Sequence, residues 1–124
     1  MSTISGHQDL IVYQKSFEVA CEVYSASKRF PREEMYSLTD QIRRASRSVA
    51  AKIAEAWRKR RYEKHFVSTL NIAETEAAET QTWIEFAAHH KYLSQTEGDA
   101  LNQKYDEILR MLVAMIRNPE KWCL

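Results

Sequence analysis

Two prolines and two glycines are all that punctuate 124 residues, and between them apolar side chains recur at alternating steps of three and four. A chain with so few turn formers cannot supply the tight turns of a β-sandwich, whereas long helices need none. The three-four spacing gives each such helix one apolar face. The predicted fold class is all-α.

Four helices follow from the spacing. Leu10, Tyr13, Phe17, Ala20 and Tyr24 set the core line of the first, from an N-cap at Asp9 to about Lys28. A second line, Val12, Val19, Val23 and Ala26, runs beside it and makes the stripe wider than one seam requires. Phe30-Pro31 stops the helix, because Pro lacks an amide donor and restrains the residue before it. Leu38, Ile42, Ala45, Val49, Ile53 and Ala56 define the second helix, expected to be the longest at about 35–40 Å and to end between Arg58 and Tyr62. Phe66, Leu70, Ala73, Ala77, Thr80, Ile84 and Ala87 define the third. Ser94 and Glu97 have capping-box spacing at the start of the fourth, whose core line is Leu101, Tyr105, Ile108, Leu112 and Met115 before Asn118-Pro119.

Segments of this length near a 3.5-residue repeat, joined by short links, predict a left-handed, antiparallel up-down-up-down four-helix bundle. It occupies residues 9–118, with a flexible N-terminus over 1–8 and a tail over 119–124. No run reaches the roughly 18 apolar residues of a membrane span, and Met1 to Gly6 carries no signal-peptide pattern. Cys21 and Cys123 stand apart without metal spacing. Two free thiols, with Cys21 as a small buried hydrophobe, and a cytoplasmic location are expected.

Charge is distributed unevenly. Arg43, Arg44, Arg47, Lys52, Arg58, Lys59, Arg60, Arg61 and Lys64 face only Glu55 and Glu63, whereas Glu74 to Glu85 carries four glutamates and no cation. A formal net charge of +1 therefore conceals a polarised molecule suited to self-association or polyanion binding. Arg43, Arg47, Lys52, Arg58, Lys59, Arg60 and Arg61 are the candidate surface for RNA or DNA, with Trp57 and Tyr62 beside them for base stacking. The plain alternative is a solvated helix end, and the near-neutral total is unlike a dedicated nucleic-acid binder.

Gln41, Arg44, Ser48 and Glu55 line one flank of the second helix and suggest a hydrogen-bonded network fixing register or a subunit contact. Trp57, Trp83, Tyr92 and Trp122 lie at or outside the core lines. With Val12, Val19 and Val23 from the surplus stripe, Trp57 and Trp83 are the candidate homo-oligomer interface; the competing reading is that the aromatics close the bundle ends. Catalysis finds no support in nucleophile, phosphate-loop or HExxH motifs, and no cofactor is expected. Glu85 and His89, four apart, lack a second ligand cluster, so solvated helix-end residues are the simpler reading and no metal site is assigned.

Several blocks resemble a known family. Asp9-Leu10-Ile11-Val12-Tyr13-Gln14-Lys15, Phe30-Pro31-Arg32-Glu33-Glu34, Leu38 to Ala45, Ser48-Val49, Ile53-Ala54-Glu55, Lys64-His65-Phe66, Leu70, Ala73, Glu79 and Tyr92-Leu93 follow, in order, the pattern of bacterial proteins encoded in intervening sequences of 23S ribosomal RNA genes. The resemblance spans about residues 9–115. It implies a four-helix protomer in a ring-like pentamer, and kinship with accessory proteins of diversity-generating retroelements that engage reverse transcriptase and nucleic acid. Two positions depart from the pattern: Ala56-Trp57 stands where a Gly is usual, and Tyr62 where a Ser-like cap is usual. The resulting expectation is a non-enzymatic homo-oligomeric scaffold that holds RNA or DNA; the alternatives are a protein-interaction module and, third, a small-ligand or metal-binding bundle.

Overall fold

A computed structural model describes residues 3–124. Four helices account for most of it: α1 Ile11–Ser27, α2 Leu38–Arg58, α3 Glu63–His89 and α4 Gln95–Arg117. Single 3-10 turns occupy His7–Asp9, Arg32–Glu34 and Pro119–Lys121. No strand occurs among the described residues. The longest helix is α3 at 27 residues, not α2 at 21.

The entry to α1 differs from the expected cap. The Asp9 carboxylate accepts hydrogen bonds from the Ser5 amide (2.8 Å), the Ser5 hydroxyl (3.0 Å) and the Gly6 amide (3.3 Å). It thereby closes the 3-10 turn and leaves Leu10 at the N-cap of α1. Those donors favour the ionised form and lower the Asp9 carboxyl below its ordinary range.

The expected core line of α1 holds only in part: Leu10 and Ala20 are buried, but its aromatics Phe17 and Tyr24 face outward while the second line turns in. Val12, Val19 and Val23 are buried in the core of the subunit, together with Ser16 and Ser27. Phe17 is instead 56% exposed and Tyr24 37% exposed. Val12, Val19 and Val23 are therefore core residues and not a surface for a second subunit. The inward line steps 12, 16, 19, 23, 27; its small serines let α1 lie close against its neighbours, where an aromatic would hold it off.

On α2, α3 and α4 the expected core lines are buried without exception. The α2 helix continues through Ala56 and Trp57, both buried, so a side chain fills the place where glycine is usual. Tyr62 occupies the N-cap of α3 without a side-chain hydrogen bond. Lys91, at φ 65°, ends α3 in a Schellman arrangement: its amide donates to the Ala88 carbonyl (3.0 Å) and that of Tyr92 to the Ala87 carbonyl (2.9 Å). Ser94 and Glu97 form the capping box of α4, with the Glu97 amide donating to Ser94 Oγ and the Ser94 amide to Glu97 Oε1, each at 3.1 Å.

Each helix packs on its sequence neighbour, and α1 also meets α4, closing the bundle. That last seam is the most thinly packed of the four. It is spanned by Lys15–Glu107 (2.9 Å), Lys104–Glu22 (2.6 Å) and Arg29–Glu97. Open grooves of about 230 and 590 Å³ lie along it. At the far end of the bundle the tail folds back: Pro119 is buried, and the Leu124 amide donates to the Arg60 carbonyl at the α2–α3 turn (3.1 Å).

Candidate functional site

The basic run on α2 divides into three environments, because a helix turns roughly 100° per residue. Lys52 and Lys59 lie on one flank, where both pair with Glu55, at 3.0 and 3.6 Å. Lys52 draws the Glu55 carboxyl below its ordinary range, chiefly through its hydrogen bond. These two cations share one carboxylate, so the flank keeps a net charge of only +1.

Arg43 and Arg47 lie on the opposite flank, against α1. Their guanidinium carbons sit 4.6 and 5.3 Å from the centre of the Tyr24 ring, which Lys28 also approaches at 5.0 Å. Arg43 Nε donates to Ser27 Oγ (2.8 Å). Among the described residues, none of these three cations has a carboxylate at ion-pair distance.

The third group is the α2–α3 turn. Arg60 stacks on the Trp57 indole and donates to the Trp57 carbonyl, so it serves the fold. Arg58, Arg61 and Lys64 are exposed and, among the described residues, form no ion pair. Tyr62 beside them is 64% exposed and packs only loosely on His65, ring centres 5.7 Å apart. Together with Tyr62 and Lys64 the two arginines form a patch at the turn and not along the helix.

The polar line of α2 does not act as a unit within the subunit. Arg44 pairs with Asp40 (3.0 Å), Glu55 with the two lysines, and no hydrogen bond joins Gln41, Arg44, Ser48 and Glu55 to one another. Their i,i+3 and i,i+4 partners lie on the same helix, and such local pairs form in preference to a longer chain. Glu85 and His89 border a groove of about 220 Å³ with Asp99 and Asn102. Among the described residues no three His, Cys, Asp or Glu side chains gather where they could hold a metal ion.

Two surface strips remain. The first is a groove of about 510 Å³ between α1 and α2, lined by Tyr13, Phe17, Cys21, Tyr24, Arg47 and Ala50 among others. Tyr13 and Phe17 stack along it with centres 6.0 Å apart. Cys21 is exposed here, where burial was expected. The second strip lies on α3, at the four-three spacing Ile72, Glu76, Glu79, Trp83, Phe86, with Ile72 45% and Phe86 47% exposed. Burial first, and then the neighbouring Glu79, raise the Glu76 carboxyl above its ordinary range, with Lys52 opposing. Of the two tryptophans expected at the interface, Trp57 is 7% exposed and therefore a core residue, whereas Trp83 is half-buried within the α3 strip.

Residues 8–114 match the model of a family described as 23S rRNA-intervening sequence protein. The chain belongs to that family. Another of its likenesses is to the crystal structure of a protein with unknown function from the S23 ribosomal protein family of Bacteroides thetaiotaomicron VPI-5482. The two are 30% identical with a TM-score of 0.77, over 86% of this chain and 98% of that one. No curated protein matches. As a 23S rRNA-intervening sequence protein, the chain places α1, α2, α3 and nearly all of α4 inside the matched span. The tail that touches the basic turn lies outside it. No helix among the described residues is long and apolar enough to cross a membrane.

Proposed function

We propose that this protein is a non-enzymatic scaffold: a left-handed, antiparallel up-down-up-down bundle that assembles into a ring-like homo-oligomer, a pentamer as the family resemblance implies, in the cytoplasm. The observation that carries the assembly is the aromatic strip outside a completed core. Phe17 and Tyr24 remain in solvent although Val19 and Val23 have already closed the seam beneath them. Exposed large aromatics beside arginines are the usual make-up of an interface centre. The antiparallel arrangement is supported by the ion pairs across the α1–α4 seam, in which Lys15 and Glu22 of α1 and Arg29 just beyond it run one way while Glu107, Lys104 and Glu97 of α4 run the other. Light scattering coupled to size exclusion tests the assembly: a mass near the 14.5 kDa of one subunit at all concentrations removes it.

The scaffold reading includes a polynucleotide surface at the α2–α3 turn, supported by Arg58, Arg61 and Lys64 around the exposed Tyr62. Cations follow the phosphate backbone and an aromatic face accepts any base, which suits single strands. Three phosphates neutralised per subunit give a slope of about −2 in log affinity against log salt. A mobility-shift titration reads that slope. Arg58→Glu with Arg61→Glu abolishes the shift; an unchanged shift, or none from the parent at low salt, leaves a protein partner as the occupant.

A further inference from the structure

We infer that the α1–α2 groove of one subunit receives the α3 strip of a second copy, head to tail, with Arg43 and Arg47 meeting Glu76 and Glu79. The inference rests on the self-assembly proposed above and names the two faces that make it. Three independent features agree.

The first is periodicity. The groove's own ridge steps 13, 17, 20, 24 on α1, and the α3 strip steps 72, 76, 79, 83, 86. Both follow the seven-residue repeat of packed helices, on faces beside the subunit's own core line. Ala20 is buried and Tyr13 and Trp83 lean on the core, but Phe17 and Tyr24 on one strip, and Ile72 and Phe86 on the other, are exposed. Each helix thus carries a second seam that the subunit itself covers only in part.

The second feature is charge. Lys28, Arg43 and Arg47 converge on one tyrosine ring without a carboxylate partner among the described residues. On α3, Glu76 and Glu79 crowd one another in the middle of an otherwise apolar strip, and within the subunit only Lys52, already hydrogen-bonded to Glu55, bears on Glu76. Like charges at i,i+3 on a helix are unfavourable, and they persist at little cost where an opposite charge meets them. The same chain carries both halves of the match.

The third is closure. Used head to tail, the contact is heterologous: each copy uses its groove on one neighbour and its α3 strip on the next. Repetition of such a contact produces a ring when the rotation closes. A dimer that set groove on groove or strip on strip would bring like charges together and is disfavoured.

Charge reversal tests the pairing, because Arg47 and Glu79 are surface residues whose exchange leaves the helices intact. Arg47→Glu alone and Glu79→Arg alone each reduce the mass by light scattering towards 14.5 kDa at a concentration where the parent assembles. The double variant Arg47→Glu/Glu79→Arg recovers the parent mass. Phe17→Asp dissociates the assembly and is not recovered by either reversal. Circular dichroism is unchanged throughout. An assembled parent whose mass is indifferent to both single reversals overturns this inference and leaves the scaffold reading standing, with other faces in contact. A double variant that stays dissociated also overturns the pairing. A parent that is monomeric, or that is captured only by an unrelated acidic helix, overturns both.

Discussion

The Arg60 guanidinium lies over the Trp57 indole, 3.5 Å from carbon to ring centre, while its Nε donates to the Trp57 carbonyl at 2.7 Å. One side chain of the basic run thus roofs a core aromatic. Its charge is engaged in holding the end of α2.

Replacing Arg60 with Ala is expected to cost about 1 kcal/mol of stability, from the lost cation–π contact and hydrogen bond. Trp57 becomes wetted and its fluorescence shifts to the red. Polynucleotide affinity falls less than on replacing Arg58 or Arg61. A chemical melt, an emission spectrum and the salt titration check the three parts separately.

Lys91 holds a left-handed conformation that favours glycine. Lys91→Gly relieves the contact of its Cβ with the backbone and should raise the unfolding free energy by about 1 kcal/mol. Lys91→Val should lower it by at least as much. Urea midpoints at constant slope decide the sign.

Glu97 is set well below the usual carboxylate range, at about 2 against an ordinary 4.5, first by the Arg29 hydrogen bond and then by the Ser94 amide. The folded state therefore holds this proton less tightly than the unfolded chain. Its stabilisation is complete above about pH 4.5 and is lost as pH falls through about 2. Both side chains face water, so added salt weakens the Coulomb part of the effect. Thermal midpoints from pH 6 to pH 2 should fall more steeply for the parent than for Glu97→Gln, and the gap between them should narrow in salt.

Tyr105 is fully buried, and among the described residues its hydroxyl meets no partner in good hydrogen-bond geometry, the Thr80 side chain being close enough only to ease its ionisation slightly; burial raises that ionisation well above an ordinary phenol's. Tyr105→Phe keeps the shape and removes the poorly partnered hydroxyl. The variant should match or exceed the parent's stability by up to about 2 kcal/mol, measured by denaturant melt.

The sequence disclosed the seams of α2, α3 and α4 because each of those helices has one dominant apolar line. On α1 two lines compete, and size and polarity misled. Tyr13, Phe17 and Tyr24 look more like core than Ser16 and Ser27 do, but a close approach between helices selects the small side chains. The burial of Val12, Val19 and Val23, and the exposure of Phe17, follow from that one inversion. The charge run was legible as a run but not as a surface. Lys52, Lys59 and Arg60 find partners within the subunit, and only the folded arrangement separates them from Arg58 and Arg61. For the α3 strip a signal existed: the interval from Ile72 through Glu76 and Glu79 to Phe86 repeats the helix's own core spacing one step out of phase.

Three sides of this molecule are broadly closed by hydrocarbon, and the fourth, between α1 and α4, has the thinnest packing and is spanned by exposed carboxylate–cation clasps over shallow hollows. Strong electrolyte or acid loosens clasps of that kind while leaving oily contacts largely in place. The first helix should therefore be the earliest to exchange its amide hydrogens with solvent. Because that helix also carries Phe17 and Tyr24, neighbours joined through it would brace the weakest edge of each subunit.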